Sequence, residues 1–263
     1  MNYPLVSIIT VSYNAVSTIE ETINSIINQT YINIEYIIID GGSNDGTIEI
    51  IKRYANKISY WISEPDKGIY DAMNKGIKLA KGEWINFMNC GDTFYSASSI
   101  FDIMSLSLKE SDVIYGNTNL VYKYGSLIKK GDVVKANNYM PFGHQAAFTK
   151  KNILKKYLFD THYKICADRH LYYRIYRDKG TFEYINVTIS NYDVETGISA
   201  INTKLFLTEI GEIEGKDNEF RWQLKCQVYL ITNKLKIQIK KILPNHIVTL
   251  IKKRRTKILI NKS

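Results

Sequence analysis

Four groups of polar residues each stand directly behind a short apolar run: Thr10-Val11-Ser12-Tyr13-Asn14, Asp40-Gly41-Gly42-Ser43-Asn44-Asp45-Gly46-Thr47, Glu64-Pro65-Asp66-Lys67-Gly68 and Asn89-Cys90-Gly91-Asp92. Their side chains suit distinct tasks. The Tyr13 ring offers a flat face to a planar base, Asn14 beside it both donates and accepts, and the Asp40 carboxylate can accept an imide N–H. Asp92 carries the hard oxygens a divalent cation prefers while leaving positions open for water or phosphate. Later in the chain Asp168 is a carboxylate suited to take a proton from a hydroxyl, and His144, behind Pro141-Phe142-Gly143, could touch an anion or a second substrate. Asp71 and Asn74 share one helix face at a spacing of three. Each of these also has a plainer reading: turns at Tyr13-Asn14 and Gly91-Asp92, a loop capped at Asp45, a helix N-cap at Asp168 and a structural histidine at His144.

The elements that must position them alternate strand and helix. Apolar runs at Leu5–Val11, Ile34–Ile39, Ile58–Ile62 and Glu83–Met88 read as buried strands, and Ile19–Ile27, Thr47–Tyr54 and Ile69–Ala80 carry helical periodicity. Nearly continuous apolar strands between helices predict a mostly parallel central sheet with helices on both faces. The ligand crevice of such a sheet lies at the carboxyl ends of its strands, where all four polar groups fall. After residue 93 the pattern weakens to a helix near Ser98–Leu108, strands near Val113–Tyr115 and Leu120–Tyr124, and a helix opening at Asp168. Beyond Thr203 it turns helical and basic, with Pro244 dividing Arg221–Leu243 from His246–Ile260.

The 263 residues carry a net charge of +9, but the last acidic residue is Glu219, and residues 221–263 hold +12 against −3 for the rest. A basic tail on a nearly neutral body points to a membrane surface or another polyanion rather than to a nucleic-acid reader. In the tail Leu224, Val228, Ile231, Leu235 and Ile239 line one helix face, with Lys225, Lys236 and Lys240 interleaved and Lys252-Lys253-Arg254-Arg255 following. A solvated basic helix packed on the body or on a second copy would show the same composition. Cys90, Cys166 and Cys226 are odd in number and widely spaced, which indicates neither a disulfide framework nor a zinc site. No basic residue precedes Lys52 and no apolar run reaches membrane-spanning length, so the expected location is cytoplasmic, peripheral at the inner face of the cell membrane.

The first turn lacks GxGxxG and GxxxxGK[ST], which removes the main support for a dinucleotide dehydrogenase or a P-loop nucleotidase. Instead, Val6-Ser7-Ile8-Ile9-Thr10-Val11-Ser12-Tyr13-Asn14, Ile39-Asp40-Gly41-Gly42-Ser43-Asn44-Asp45-Gly46-Thr47, Asp71-Ala72-Met73-Asn74-Lys75-Gly76 and Ala80-Lys81-Gly82-Glu83-Trp84-Ile85, in that order, resemble the family 2 glycosyltransferases of the GT-A fold. The likeness covers about residues 5–95 and extends more loosely to about 200 through Ala167-Asp168 and Thr196-Gly197-Ile198-Ser199. The string from Gly68 to Gly76 and the Gly91-Asp92 ending are similar to the branch that builds bacterial surface polysaccharides.

The resemblance implies a GT-A-like domain over 1–203, its nucleotide-binding half at about 1–95 and its acceptor half at about 96–203, followed by a helical basic extension over 204–263. It implies an inverting, hexosyltransferase-type enzyme that moves a sugar from a nucleotide-sugar, UDP-sugar favoured, to a saccharide or polyprenyl-linked acceptor in capsule, O-antigen or exopolysaccharide synthesis. Donor contacts are then expected from Thr10, Val11, Tyr13, Asn14, Asp40, Asp71, Asn74, Asn89 and Gly91, with Mn2+ or Mg2+ on Asp92, His144 at the diphosphate or acceptor, and Asp168 as the general base. The chain departs from the family pattern at three places. Only the last acid of the usual Asp-x-Asp-type signature is kept, which makes Asn89 a ribose or sugar contact; Ala167 replaces an acidic neighbour of the base; and Met73 replaces a frequent arginine, so that phosphate neutralisation falls to Lys75, the cation or backbone amides. Two rivals stand beside this reading: a degenerate, non-catalytic domain that binds glycan or membrane, and a sugar-1-phosphate nucleotidyltransferase, which the absence of Lys or Arg before Lys52 opposes. A homodimer is left open.

Overall fold

A computed structural model describes residues 3–106, 111–135, 139–194, 202–244, 247, 249–250, 253–254 and 256. The chain clusters into two compact units, one formed by Met1–Asn119 with Ile128–Tyr192, the other by Leu120–Leu127 with Asp193–Ser263.

In the first unit strand β1 (Val6–Ser12) lies centrally, parallel to β2 (Ile34–Asp40) on one side and β4 (Trp84–Phe87) on the other, with β3 (Tyr60–Ser63) outside β2. Every residue of β1 is buried, as expected for a parallel strand covered on both faces. The register pairs Ser12 with Asp40 and Asp40 with Ser63, so three strands end level with one another. Parallel pairing stops at β4. From there the sheet continues antiparallel through β8 (Ala147–Lys150) to β6 (Val113–Tyr122), then β9 (Phe182–Asp193) and the two-residue β5 (Thr93–Phe94), with β7 (Gly125–Lys129) on β6.

Helix α1 (Ile19–Ile27) buries Ile19, Ile23 and Ile26 against the sheet, the face its periodicity predicts. Helices α2 (Thr47–Arg53), α3 (Ile69–Leu79), α4 (Ser99–Met104), α5 (Lys151–Tyr157) and α6 (Ala167–Arg177) complete this unit among the described residues. The expected strands at Val113–Tyr115 and Leu120–Tyr124 are joined into one ten-residue strand, β6. The second unit carries α7 (Thr203–Glu214) and α8 (Phe220–Ile242), the latter matching the expected helix at Arg221–Leu243. The Thr196-Gly197-Ile198-Ser199 motif, most of His246–Ile260, and Lys252 and Arg255 of the basic run lie outside the described residues.

Candidate functional site

The three level strand ends meet on one carboxylate. Asp40 is fully buried and takes five hydrogen bonds, from Ser12 Oγ (2.8 Å) and Ser43 Oγ (2.6 Å) on Oδ1 and from Gly42 N (3.1 Å), Ser43 N (2.8 Å) and Ser63 Oγ (2.6 Å) on Oδ2. Burial alone would raise its pKa, yet the serine hydroxyls and the Ser43 N–H outweigh burial and hold it below the ordinary carboxylate value. A carboxylate has about four lone-pair positions, so Asp40 has no acceptor left for a base. The expected imide contact at Asp40 is therefore corrected: this residue organises the loops that could form a base site.

Other expected donor contacts are also engaged within the protein. Thr10 is buried in β1 and its Oγ1 donates to Met88 O at 2.7 Å, while Val11 is buried and its carbonyl accepts Cys90 N at 3.3 Å, so neither side chain is presented to a ligand. The Asn74 amide is buried and closes a two-way pair with the Phe159 backbone, Nδ2 to O and N to Oδ1, each 2.8 Å. It clamps the chain after α5 rather than facing a nucleotide. Asp71 accepts Lys67 N at 3.0 Å and holds the first turn of α3. Lys75 is paired with Glu64 at 2.7 Å and bonded to Pro65 O at 3.2 Å, which ties it to the loop after β3.

Tyr13 and Asn14 stand at the end of β1, beside the Asp40 loop. Tyr13 is 67% exposed with its ring available for stacking. Asn14 sits at φ +47°, a conformation asparagine tolerates, and spans the two loops by donating its N–H to Ser43 Oγ (2.8 Å) and accepting Asn44 N on Oδ1 (3.0 Å).

A second cluster gathers beyond β4. Thr22 of α1 holds the Asn89–Asp92 turn, donating to Asp92 O at 2.9 Å and accepting Gly91 N at 3.1 Å, and Gly91 turns the chain at φ +94°, where a β-carbon would be strained. Asn86 of β4 pins the facing His144–Ala146 turn by donating to Gln145 O (3.0 Å) and Ala147 O (2.9 Å). His144 thereby reaches three of the expected site residues: Nδ1 is 3.5 Å from Asp168 Oδ2, Nε2 is 3.9 Å from Asp92 Oδ2, and Nε2 is 3.2 Å from Asn89 Nδ2. Asp168 is the second residue of α6, whose N-cap is Cys166, so the capping alternative fails. Its Oδ1 accepts Arg169 N at 2.8 Å and lies 3.4 Å from the Tyr70 hydroxyl. Tyr70 was not legible as a site residue, because only the fold brings α3 to the start of α6.

The electrostatics of this cluster are those of buried acid. Burial pushes Asp92 up to about 7, only partly relieved by His144. Burial lowers His144, but the adjacent Asp168 carboxylate and then Asp92 outweigh it, leaving the imidazole above its ordinary pKa. No Lys or Arg makes an ion pair with Asp92 or Asp168 among the described residues. The same environment tests the expected cation. Asn89 Oδ1 is buried with no partner among the described residues and Asp92 is desolvated, so two oxygens there would gain from a hard cation. Among the described residues no three His, Cys, Asp or Glu side chains form a metal-holding group. These residues fit a cation that arrives on a diphosphate and not one held by protein alone. Burial pushes the thiol of Cys90 beside them up.

Comparison with known proteins agrees with this architecture. The model of the glycosyl transferase family 2 matches residues 7–181. A PGL/p-HBAD biosynthesis glycosyltransferase of Mycobacterium bovis is 26% identical over 221 residues, 80% of this chain and 85% of the relative. An uncharacterized glycosyltransferase of Mycobacterium tuberculosis is 42% identical over 92 residues, 35% of each chain. Among solved structures, S. aureus TarS 1–349 in complex with UDP superposes with TM-score 0.65 at 18% identity, covering 81% of this chain and 65% of that one. The mannosyltransferase PcManGT from Pyrobaculum calidifontis, in complex with GDP-Man and Mn2+, gives TM-score 0.63 at 17% identity over 81% of this chain and 64% of that one. The chain thus spans slightly under two thirds of either structure, and the shared fold is GT-A-like.

Proposed function

Because the chain belongs to glycosyl transferase family 2, we propose that it transfers a sugar, with inversion, from a nucleoside-diphosphate donor to a hydroxyl of a saccharide or lipid-linked acceptor in bacterial surface-glycan synthesis. The observation that carries this reading is His144 set between Asp168 and Asp92, which joins a proton-accepting carboxylate to a desolvated acidic site at one end of the sheet. In the transfer, Asp168 takes the acceptor hydroxyl proton as that oxygen bonds to the anomeric carbon and the bond from that carbon to the diphosphate breaks. The nucleoside diphosphate leaves with the bonding pair. Asp92, with Asn89 Oδ1 beside it, would hold Mn2+ or Mg2+ with the donor, and a bound cation neutralises charge developing on the leaving diphosphate. Tyr13 stacks on the base, and His144 shares its charge between Asp168 and Asp92 and so keeps the two carboxylates from repelling one another.

A thermal-shift panel tests the donor class. One of UDP, GDP, CMP and dTDP, added with Mn2+ at about 100 times its Kd, is expected to stabilise the fold by about 2.7 kcal/mol. The shift should shrink in an Asp92→Asn protein. Silence across the panel in a folded sample overturns the reading.

The location of the reaction is read from α8. Leu224, Val228, Ile231, Leu235 and Ile239 are each about half exposed or more, while Trp222 on the opposite face packs on α7, its Nε1 so close that a β-carbon on Gly211 would come within 2.6 Å. Arg221, Lys225, Lys234 and Lys236 flank the stripe, and no acid occurs after Glu219. No helix among the described residues is long and apolar enough to cross a membrane. The fitting partner is an anionic lipid surface, where each Lys or Arg gains about 1 kcal/mol. The full chain is expected to float with vesicles containing anionic lipid, to stay behind with zwitterionic ones, and to be released by Ile231→Glu with Leu235→Glu. Flotation that ignores both lipid charge and these substitutions removes α8 from this role.

A further inference from the structure

The saturation of Asp40 raises the question of what recognises the base beside Tyr13, and the two glycines that follow Asp40 point to the answer. A β-carbon on Gly41 would stand 2.6 Å from Asp66 Oδ2 and 3.3 Å from Tyr13 Cδ2, so this carboxylate and this ring converge on one spot. A β-carbon on Gly42, at φ +83°, would meet Pro65 N at 3.5 Å. The loop carrying Asp66 therefore lies directly on Gly41 and in contact with Gly42, whose left-handed backbone is what favours glycine there.

The loop is held from several sides. Glu64 N donates to Asp40 O at 3.0 Å, and Lys75 binds both Glu64 Oε1 (2.7 Å) and Pro65 O (3.2 Å). Asp66 Oδ1 accepts Gly68 N at 2.8 Å, which fixes the orientation of the carboxylate. Its Oδ2 takes no hydrogen bond among the described residues and is the oxygen over Gly41. The arrangement is an exposed aromatic face with a single oriented acceptor at its edge.

We propose that Asp66 reads the nucleobase of the donor: with the base stacked on Tyr13, Asp66 Oδ2 accepts the imide N–H of uracil. The chemistry selects among bases. Uracil presents one N–H flanked by carbonyls, which matches one available oxygen. Cytosine places a lone pair at the same ring position and would set acceptor against acceptor. Guanine offers two adjacent N–H groups that ask for both carboxylate oxygens at once, in an orientation that competes with the Gly68 N–H already held by Oδ1. This inference rests on the nucleotide-sugar reading above and adds the residue and the base that it selects.

The test is equilibrium binding of UDP, CDP and GDP to the full chain in Mn2+, for the parent and for Asp66→Asn. The parent is expected to prefer UDP over CDP by about ten- to hundredfold, the range of a hydrogen bond to a charged group. In Asp66→Asn the UDP affinity should fall by a similar factor and the preference over CDP should collapse, because the amide can donate to the cytosine ring nitrogen. A cycle with Gly41→Ala and Asp66→Ala gives an independent check, with melting temperatures confirming that each protein is folded. Gly41→Ala should weaken UDP binding in the parent by displacing the carboxylate and add little once Asp66 is alanine. An unchanged UDP-to-CDP ratio in Asp66→Asn, or a parent that binds GDP more tightly than UDP, overturns the assignment of Asp66 and leaves the transferase reading standing. Failure of the folded parent to bind any of the three, or dTDP, overturns both.

Discussion

Asp168→Asn is expected to slow sugar transfer by about 10²- to 10⁴-fold, the range ascribed to a positioned general base, with donor affinity unchanged. The substitution keeps shape and removes only the capacity to take a proton. One side of the carboxylate is tied to the start of α6 through Arg169 N and lies beside the Tyr70 hydroxyl, and Oδ2 faces His144. The asparagine can preserve the first contact, so the fold should survive. The neighbouring imidazole gives a second readout. Burial pulls the His144 pKa down and Asp168 is the larger of the two carboxylate influences holding it up, so in Asp168→Asn the imidazole should titrate at lower pH than in the parent. Nuclear magnetic resonance titration of the histidine checks that sign, and a single-turnover assay checks the rate. Full turnover in Asp168→Asn would reject the base assignment. Loss of rate together with loss of donor binding would make Asp168 a structural residue instead.

The first half of the fold was legible because its strands are continuous apolar runs and its helices carry apolar residues at helical spacing, two signals that do not overlap. Ile19–Ile27 is found at the predicted bounds. The second half hid its main strand for a specific reason. In β6, Asn117, Thr118 and Asn119 are all buried, a stretch that from sequence alone reads as a turn. The two asparagines are accommodated because Asn117 Nδ2 bonds Asn186 Oδ1 at 3.1 Å and Asn119 Nδ2 bonds Asn191 Oδ1 at 2.8 Å, on the neighbouring β9. Amide pairs between distant residues leave no period in the sequence.

The site divides along the same line. Asp92 is picked out by its position after a strand, His144 by its place behind Pro141-Phe142-Gly143 and Asp168 by the family resemblance, and the fold sets the three side by side. Which polar groups would spend their bonding capacity on one another was not visible. Ser12, Ser43 and Ser63 look like ordinary loop serines until the strand register sets them around Asp40. The sequence signal for Asp66 is Gly41, a glycine at a strand end that marks a place where another segment of the chain comes very near.

Removing the Asp40 carboxylate should cost stability before it costs chemistry. Asp40→Ala leaves two backbone N–H groups and three serine hydroxyls without their acceptor in a buried place, and breaking a buried polar network of this kind costs about 3–5 kcal/mol. For a domain of this size that lowers the melting temperature by about 10 °C. The acid dependence follows with a definite sign. The folded carboxyl has a lowered pKa, so its contribution is complete above the ordinary carboxylate value and is lost as pH falls through the folded pKa. Between about pH 4 and lower values the parent should therefore lose stability more steeply than Asp40→Asn, which has no carboxylate to protonate. Denaturant titrations at several pH values measure both quantities, and equal acid slopes in the two proteins would show that Asp40 is not the loaded group. The same variant separates holding a site from reading a ligand. Asp40→Asn, assayed well below its melting temperature, should bind every nucleoside diphosphate less tightly because the loops over Gly41 and Gly42 loosen together, yet keep its order of preference. Asp66→Asn should stay as stable as the parent and lose that order, since the oxygen that distinguishes one base from another belongs to Asp66 and the frame that presents it belongs to Asp40.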